Sequence, residues 1–243
     1  MIATTKDDAY IRKRYGVRQE TIERLKNLYG KPYFESEELM RKRERMQEIE
    51  FAHLRKYFDL SAGGNVLDIG CGTGNFLAKF PPNWKKFGIE LSDFARAEAE
   101  KRGVITEMDM MDDFFDLIIF RGTIQHLPDP IAKIGECFYW LKRGGGIVFL
   151  ATPNINSIYY KLFNDLPMIA KEYNFLLPSD LILEQILTNF GFEILGFEYP
   201  YRETPYAKPT KDLFAFFLKL LRIKKDIRFA FPRNLLECYA RKP

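Results

Sequence analysis

The stretch VLDIGCGTGNF, residues 66–76, sets Gly70, Gly72 and Gly74 directly behind a short apolar run that carries Asp68. Three glycines in five positions weaken helix and strand alike, so the chain here either turns irregularly or presses its bare backbone against a ligand. An apolar run, a glycine turn and a helical stretch in succession open a strand–turn–helix unit. In an open α/β sheet, ligands sit beyond the carboxyl ends of such strands. A dinucleotide turn of the form GxGxxG would need glycine at position 75, where the chain has Asn75, so the spacing is GxGxG instead.

That difference bears on the ligand. A pyrophosphate wants several N–H groups and a helix N-terminus aimed at it. An adenosyl-methionine carries one carboxylate and a sulfonium cation, and mainly needs room along the turn. Asp68, an acid inside the strand, would burden the first and suit the second; it could equally bond the N–H groups of its own turn, and the two roles are compatible.

Downstream, NVLDIG, KFGIEL, VITEMD, FDLIIF and GIVFL read as strands, with DFARAEAEKRG and DPIAKIGECFYWLKRGG as glycine-stopped helices between them. Strands alternating with helices predict a mostly parallel sheet covered on both faces. Beyond Thr152, SDLILEQILTNFG reads as a capped helix, and FEILGFEY and NLLECYARK as strands that would pair antiparallel at the sheet edge. Between those two strands TKDLFAFFLKLLRIKK reads as a helix apolar around too much of its circumference for a simple surface helix. Ahead of the sheet, ETIERLKNLYG reads as a short helix, GKPYF as a turn, and ESEELMRKRERMQEIEFAHLRKYF as a long helix whose RKRER run forms a solvated face. The expected organisation is a helical segment or substrate lid over residues 1–60 and one domain over 61–243, with a cofactor half at 61–151 and a substrate half at 152–243.

Composition narrows the function classes. At 47% apolar and 29% charged residues the 243-residue chain is ordinary globular protein, and a net charge of +4 is too even to argue for nucleic acid. Locally, eight basic residues stand against two acids between Lys208 and Arg233, in a stretch rich in phenylalanine. That segment, 211–233, is expected to make either a peripheral membrane contact or a homodimer. Cys71, Cys137 and Cys238 are widely spaced and odd in number, which signals neither a disulfide framework nor a zinc site and fits a reducing cytoplasm. No metal site is expected, since the only histidines are His53 and His126, and neither HExxH nor GxSxG occurs.

VLDIGCGTG resembles the cofactor loop of class I S-adenosylmethionine-dependent methyltransferases, and the resemblance runs from about Asn65 to Asn154. It implies a Rossmann-like α/β fold: a seven-strand, mostly parallel sheet with helices on both faces and an antiparallel edge. The implied cofactor is S-adenosylmethionine, leaving as S-adenosylhomocysteine. By resemblance Asp68, Gly70, Cys71, Gly72, Thr73 and Gly74 shape the cofactor turn, and Glu90, with Leu91 beside it, accepts both ribose hydroxyls. Asp109 would face the adenine with Met110 as its apolar neighbour, although Asp112 and Asp113 lie close by. FRGTIQHLPDP resembles the matching segment of ubiquinone-biosynthesis-type and saccharide-biosynthesis methyltransferases. It would place Gly122 near the methionine end, Arg121 on an anionic substrate group or an internal carboxylate, and His126 as a base or as a loop anchor. Asn154, Tyr159 and Tyr160 are the substrate-side candidates. The expected reaction is methyl transfer to an oxygen or nitrogen of a small molecule, a sugar or activated saccharide precursor. The alternatives are a quinone-like or lipidic acceptor at a membrane surface, or a non-catalytic binding module.

Overall fold

The computed structural model describes residues 37–169 and 174–243; the expected helix ETIERLKNLYG and turn GKPYF lie outside them. Helix α1 (Glu37–Tyr57) begins on Glu37 and Glu38 and ends on Arg55 and Lys56, a polarity that complements the helix dipole. Strand β1 (Gly64–Ile69) leads through the glycine turn to β2 (Trp84–Ile89) and α2 (Asp93–Lys101), whose cap is Ser92 accepting from the Ala95 N–H. Then follow β3 (Phe115–Arg121), α3 (Pro130–Trp140), β4 (Leu141–Pro153) and the short α4 (Ile158–Phe163). Helix α5 (Asp180–Asn189), β5 (Glu193–Glu198), α6 (Pro209–Leu220) and β6 (Leu235–Arg241) complete the described chain.

The sheet order is β2-β1-β3-β4-β6-β5. Its first four strands run parallel, and β6 pairs antiparallel with both β4 and β5, forming the edge that FEILGFEY and NLLECYARK predict. The described residues form six strands where seven were expected. The difference is VITEMD, which makes only one parallel bridge, Ile105 to Phe87, before the polar, exposed Glu107 and Asp109 turn away from β2.

Alternation along the buried strands sends side chains to two cores. Leu67, Ile118 and Phe149 meet α3 and α5 on one face; Val66, Ile119 and Val148 meet α1, α2 and the turn residues Phe76 and Leu77 on the other. A third cluster, with Tyr159, Leu166, Ala215 and Phe229, joins α4 to α6 and the segment before β6. Helix α1 is fastened to the sheet by polar groups as well as by Leu54: His53 Nδ1 lies 3.0 Å from Glu237, and Lys56 donates to Glu198 at 3.0 Å. Tyr57 stacks on Tyr239. No described helix is long and apolar enough to cross a membrane.

Candidate active site

Gly70, at φ +86°, turns the chain where β1 ends while its N–H still donates to the Ile89 carbonyl at 2.7 Å. A Cβ at Gly70 would stand 2.3 Å from the Thr123 hydroxyl oxygen, so the two loops at the sheet's carboxyl edge meet backbone to side chain. Gly74 serves a different purpose: it lies against Ala99 and Val104, letting α2 pack closely behind the turn. At the end of β2, Glu90 accepts from the Gly72 N–H with Oε2 and from the Ser92 N–H with Oε1, both at 2.8 Å. One carboxylate thus ties the glycine turn to the entrance of α2. Each oxygen keeps a further lone pair for a donor from the cleft.

Asp68 is 1% exposed, and its Oδ1 has no partner. Burial pushes its carboxyl up to about 7, against the pull of the Arg121 guanidinium. Arg121, at the end of β3, donates from Nε to Glu50 Oε2 of α1 at 2.6 Å, so of its two expected partners the internal carboxylate is present. Glu50 is fully buried and its acidity is lowered by desolvation more than Arg121 restores it. Burial also raises the Cys71 thiol well above its ordinary value, which leaves it protonated and a poor nucleophile at neutral pH.

Asp68, Cys71, Glu90 and Arg121 line one cleft of about 1120 Å³ beyond the carboxyl ends of β1, β2 and β3, with Glu50 behind Arg121. A pocket for one drug-sized ligand takes roughly 300–1,000 Å³, so this cleft is large enough for a ligand of that size. Of the candidates from sequence, Asp68, Gly70, Cys71, Gly72 and Thr73 line it, as do Glu90, Leu91, Arg121, Gly122 and His126. His126 closes a short 3-10 turn, its N–H donating to Thr123, and its Nε2 lies 3.3 Å from Gln125 Nε2. Other candidates lie elsewhere. Asp109, Asp112 and Asp113 are exposed on the loop ahead of β3, and Met110 packs on the first core. Asn154 is buried, donating its N–H to the Asn234 carbonyl and accepting from the Asn156 N–H with Oδ1. Tyr159 is buried in the third cluster with its hydroxyl accepting from Lys219, and Tyr160 packs against the same cluster.

The far wall of the cleft is missing from the sequence-derived site. Met168, Tyr201, Tyr206, Phe229 and Phe231 line it, together with Asn234, which is 2% exposed and has both side-chain polar atoms unpartnered. Glu50 was also missed. Its signal was present, since the acid interrupts a buried stripe four residues after Met46 and four before Leu54.

Residues 38–196 match the family described as a methyltransferase domain. The chain belongs to this family, the class I S-adenosylmethionine-dependent methyltransferases. A phosphoethanolamine N-methyltransferase of Triticum aestivum is 36% identical over 104 residues, 37% of this chain and 21% of that one. A ubiquinone biosynthesis O-methyltransferase of Shewanella pealeana is 31% identical over 52% of this chain and 64% of its own length. The match therefore spans less than two thirds of either relative. The structure of Haemonchus contortus phosphoethanolamine N-methyltransferase 2 superposes with a TM-score of 0.56 at 19% identity, over 81% of this chain and 52% of that one, which shows the common fold.

The site suits the family's cofactor on its own terms. A buried carboxylate with an unpartnered oxygen is costly unless a cation or donor meets it, and Asp68 lines the cleft beside the open turn.

Proposed function

We propose that this chain transfers the methyl group of S-adenosylmethionine to an oxygen or nitrogen of a small acceptor with an apolar or aromatic body, quinone-like or lipidic. The observation that carries this reading is the pairing within one cleft of a polar turn, built from Asp68, Gly72 and Glu90, with a far wall of Phe229, Phe231, Tyr201 and Met168. In the proposed complex Glu90 accepts from the ribose hydroxyls, and Asp68 offsets the cofactor's positive charge. When bound, the cofactor supplies a methyl group already activated as a sulfonium, so the chain's own tasks are alignment, exclusion of water and care of a proton. His126 takes the proton from the acceptor hydroxyl or amine. Asn234, its carboxamide unpartnered in the wall, bonds the acceptor's polar group.

The sugar acceptor expected from FRGTIQHLPDP has less support. Relatives named for phosphoethanolamine, ubiquinone biosynthesis and malonyl-acyl-carrier protein lend it no support. Donors of a polyhydroxylated ring that face Met168, Phe229 and Phe231 would also go unpaired, with a desolvation cost. The test is incubation with methyl-labelled S-adenosylmethionine and separate pools of quinol precursors, phospholipids and nucleotide sugars. Label entering an organic-extractable product supports the proposal; label confined to the sugar pool overturns the acceptor assignment.

A further inference from the structure

Helix α6 is inverted. Its buried positions include Asp212, Ala215 and Lys219, whereas Leu213, Phe214, Phe217, Leu220 and Leu221 are 44–67% exposed. Spacings of three and four set these five side chains on one outward face. The inward polar groups are specifically seated: Lys219 Nζ donates to the Tyr159 hydroxyl at 2.9 Å, and Asp212 Oδ2 accepts from the Lys208 N–H and the Tyr201 hydroxyl. The helix is thereby held with Asp212 and Lys219 inside and these five apolar side chains in water. Helix α4, packed against α6 through Phe163 and Phe216, exposes Ile158 and Leu162 as well.

Around this face the exposed charge is almost wholly positive. Lys211, Arg222, Lys224, Lys225 and Arg228 are exposed, against the single exposed acid Asp226 in the same stretch. We infer that this face docks on an anionic lipid surface, the Phe214–Phe217–Leu221 stripe entering the boundary between headgroups and acyl chains while the basic rim meets the phosphates. A second copy of the chain fits worse, because a two-fold contact sets the same basic rim against itself. The segment that follows α6 leads straight into the site: Arg228, Phe229 and Phe231 line the cleft, so docking brings the acceptor wall next to the bilayer. The purpose of the docking rests on the proposed apolar acceptor. Vesicle binding is read without methyl transfer, so the two ideas fail separately.

The experiment is co-sedimentation of the full chain with phosphatidylcholine vesicles, with and without phosphatidylserine. The wild type should pellet with the phosphatidylserine vesicles and be released by high salt. The Phe214→Ser/Phe217→Ser variant and the Lys224→Glu/Lys225→Glu variant should each bind about tenfold or more weakly. Affinity for S-adenosylhomocysteine, unchanged in both variants, would show that the fold and cofactor turn are intact. The inference is overturned if the wild type ignores anionic vesicles, if either intact variant binds as the wild type does, or if the phenylalanine changes abolish only a dimer.

Discussion

At one end of the cleft Gly70, Gly72 and Glu90 shape the site with main-chain turns and one carboxylate on two N–H groups; at the other, Phe229, Phe231, Tyr201 and Met168 shape it with side chains from separate loops. The first end sits at the carboxyl edge of parallel strands β1, β2 and β3, the second on a satellite cluster of α4 and α6 whose outer surface is apolar and exposed. The contrast teaches where tolerance lies. A backbone-built end fails when a single atom is added, whereas an end built from side chains can be remodelled residue by residue.

Gly70→Ala breaks the comparison most severely. The residue sits at φ +86°, and its new Cβ would overlap the Thr123 side chain, so strain and overpacking together should cost about 3 kcal/mol. Thermal unfolding should show the loss, together with weakened cofactor binding; a melting temperature equal to wild type would show that the two loops separate freely. Glu90→Ala should follow, removing the acceptor for Gly72 and Ser92 as well as the proposed ribose contact. Binding of S-adenosylhomocysteine should fall by about 2 kcal/mol, roughly thirtyfold, and unaltered affinity would detach Glu90 from the site.

The unequal construction also explains what could be read in the sequence. Glycines at positive φ and acids at strand ends are local requirements, so Asp68, Gly70, Gly72 and Glu90 could be singled out from spacing and resemblance alone. The parallel sheet and its antiparallel edge were legible for a similar reason, because strand and helix periods are local. VITEMD misled because its apolar start resembles a strand, yet only Ile105 has β2 within reach. Glu50 left only its position in the helical stripe as a signal, because an acid in a helix of mixed charge reads as solvated until Arg121 is brought beside it from 71 residues away. The far wall depends on where α4, α6 and the segment before β6 meet, and nothing in the spacing of Phe229 and Phe231 announces that meeting.

Asn234→Ala sharpens the comparison from the other side. It should raise the acceptor KM about fivefold, the loss of about one hydrogen bond, and leave S-adenosylhomocysteine affinity untouched. A matching loss for both ligands would mean that the ends are not separable. A gentler effect comes from acidity. The Asp68 carboxyl stands at about 7 in the fold, above its ordinary 3.8, and Glu50 is raised as well. The folded chain then holds more protons than the unfolded chain across that interval, so this contribution is complete at the acid end and declines as pH rises through about 7. Melting temperatures taken near pH 5.5 and pH 8 should show that decline, and Asp68→Asn should reduce it. An identical pH dependence in the variant would remove Asp68 as its source.

Calorimetric titration of the full chain with S-adenosylhomocysteine, and in parallel with NAD, tests the central claim most directly. The GxGxG turn with Asp68 and Glu90 predicts saturable one-site binding of S-adenosylhomocysteine and no binding of NAD under the same conditions. Preferential binding of NAD, or no heat with either ligand, would contradict it.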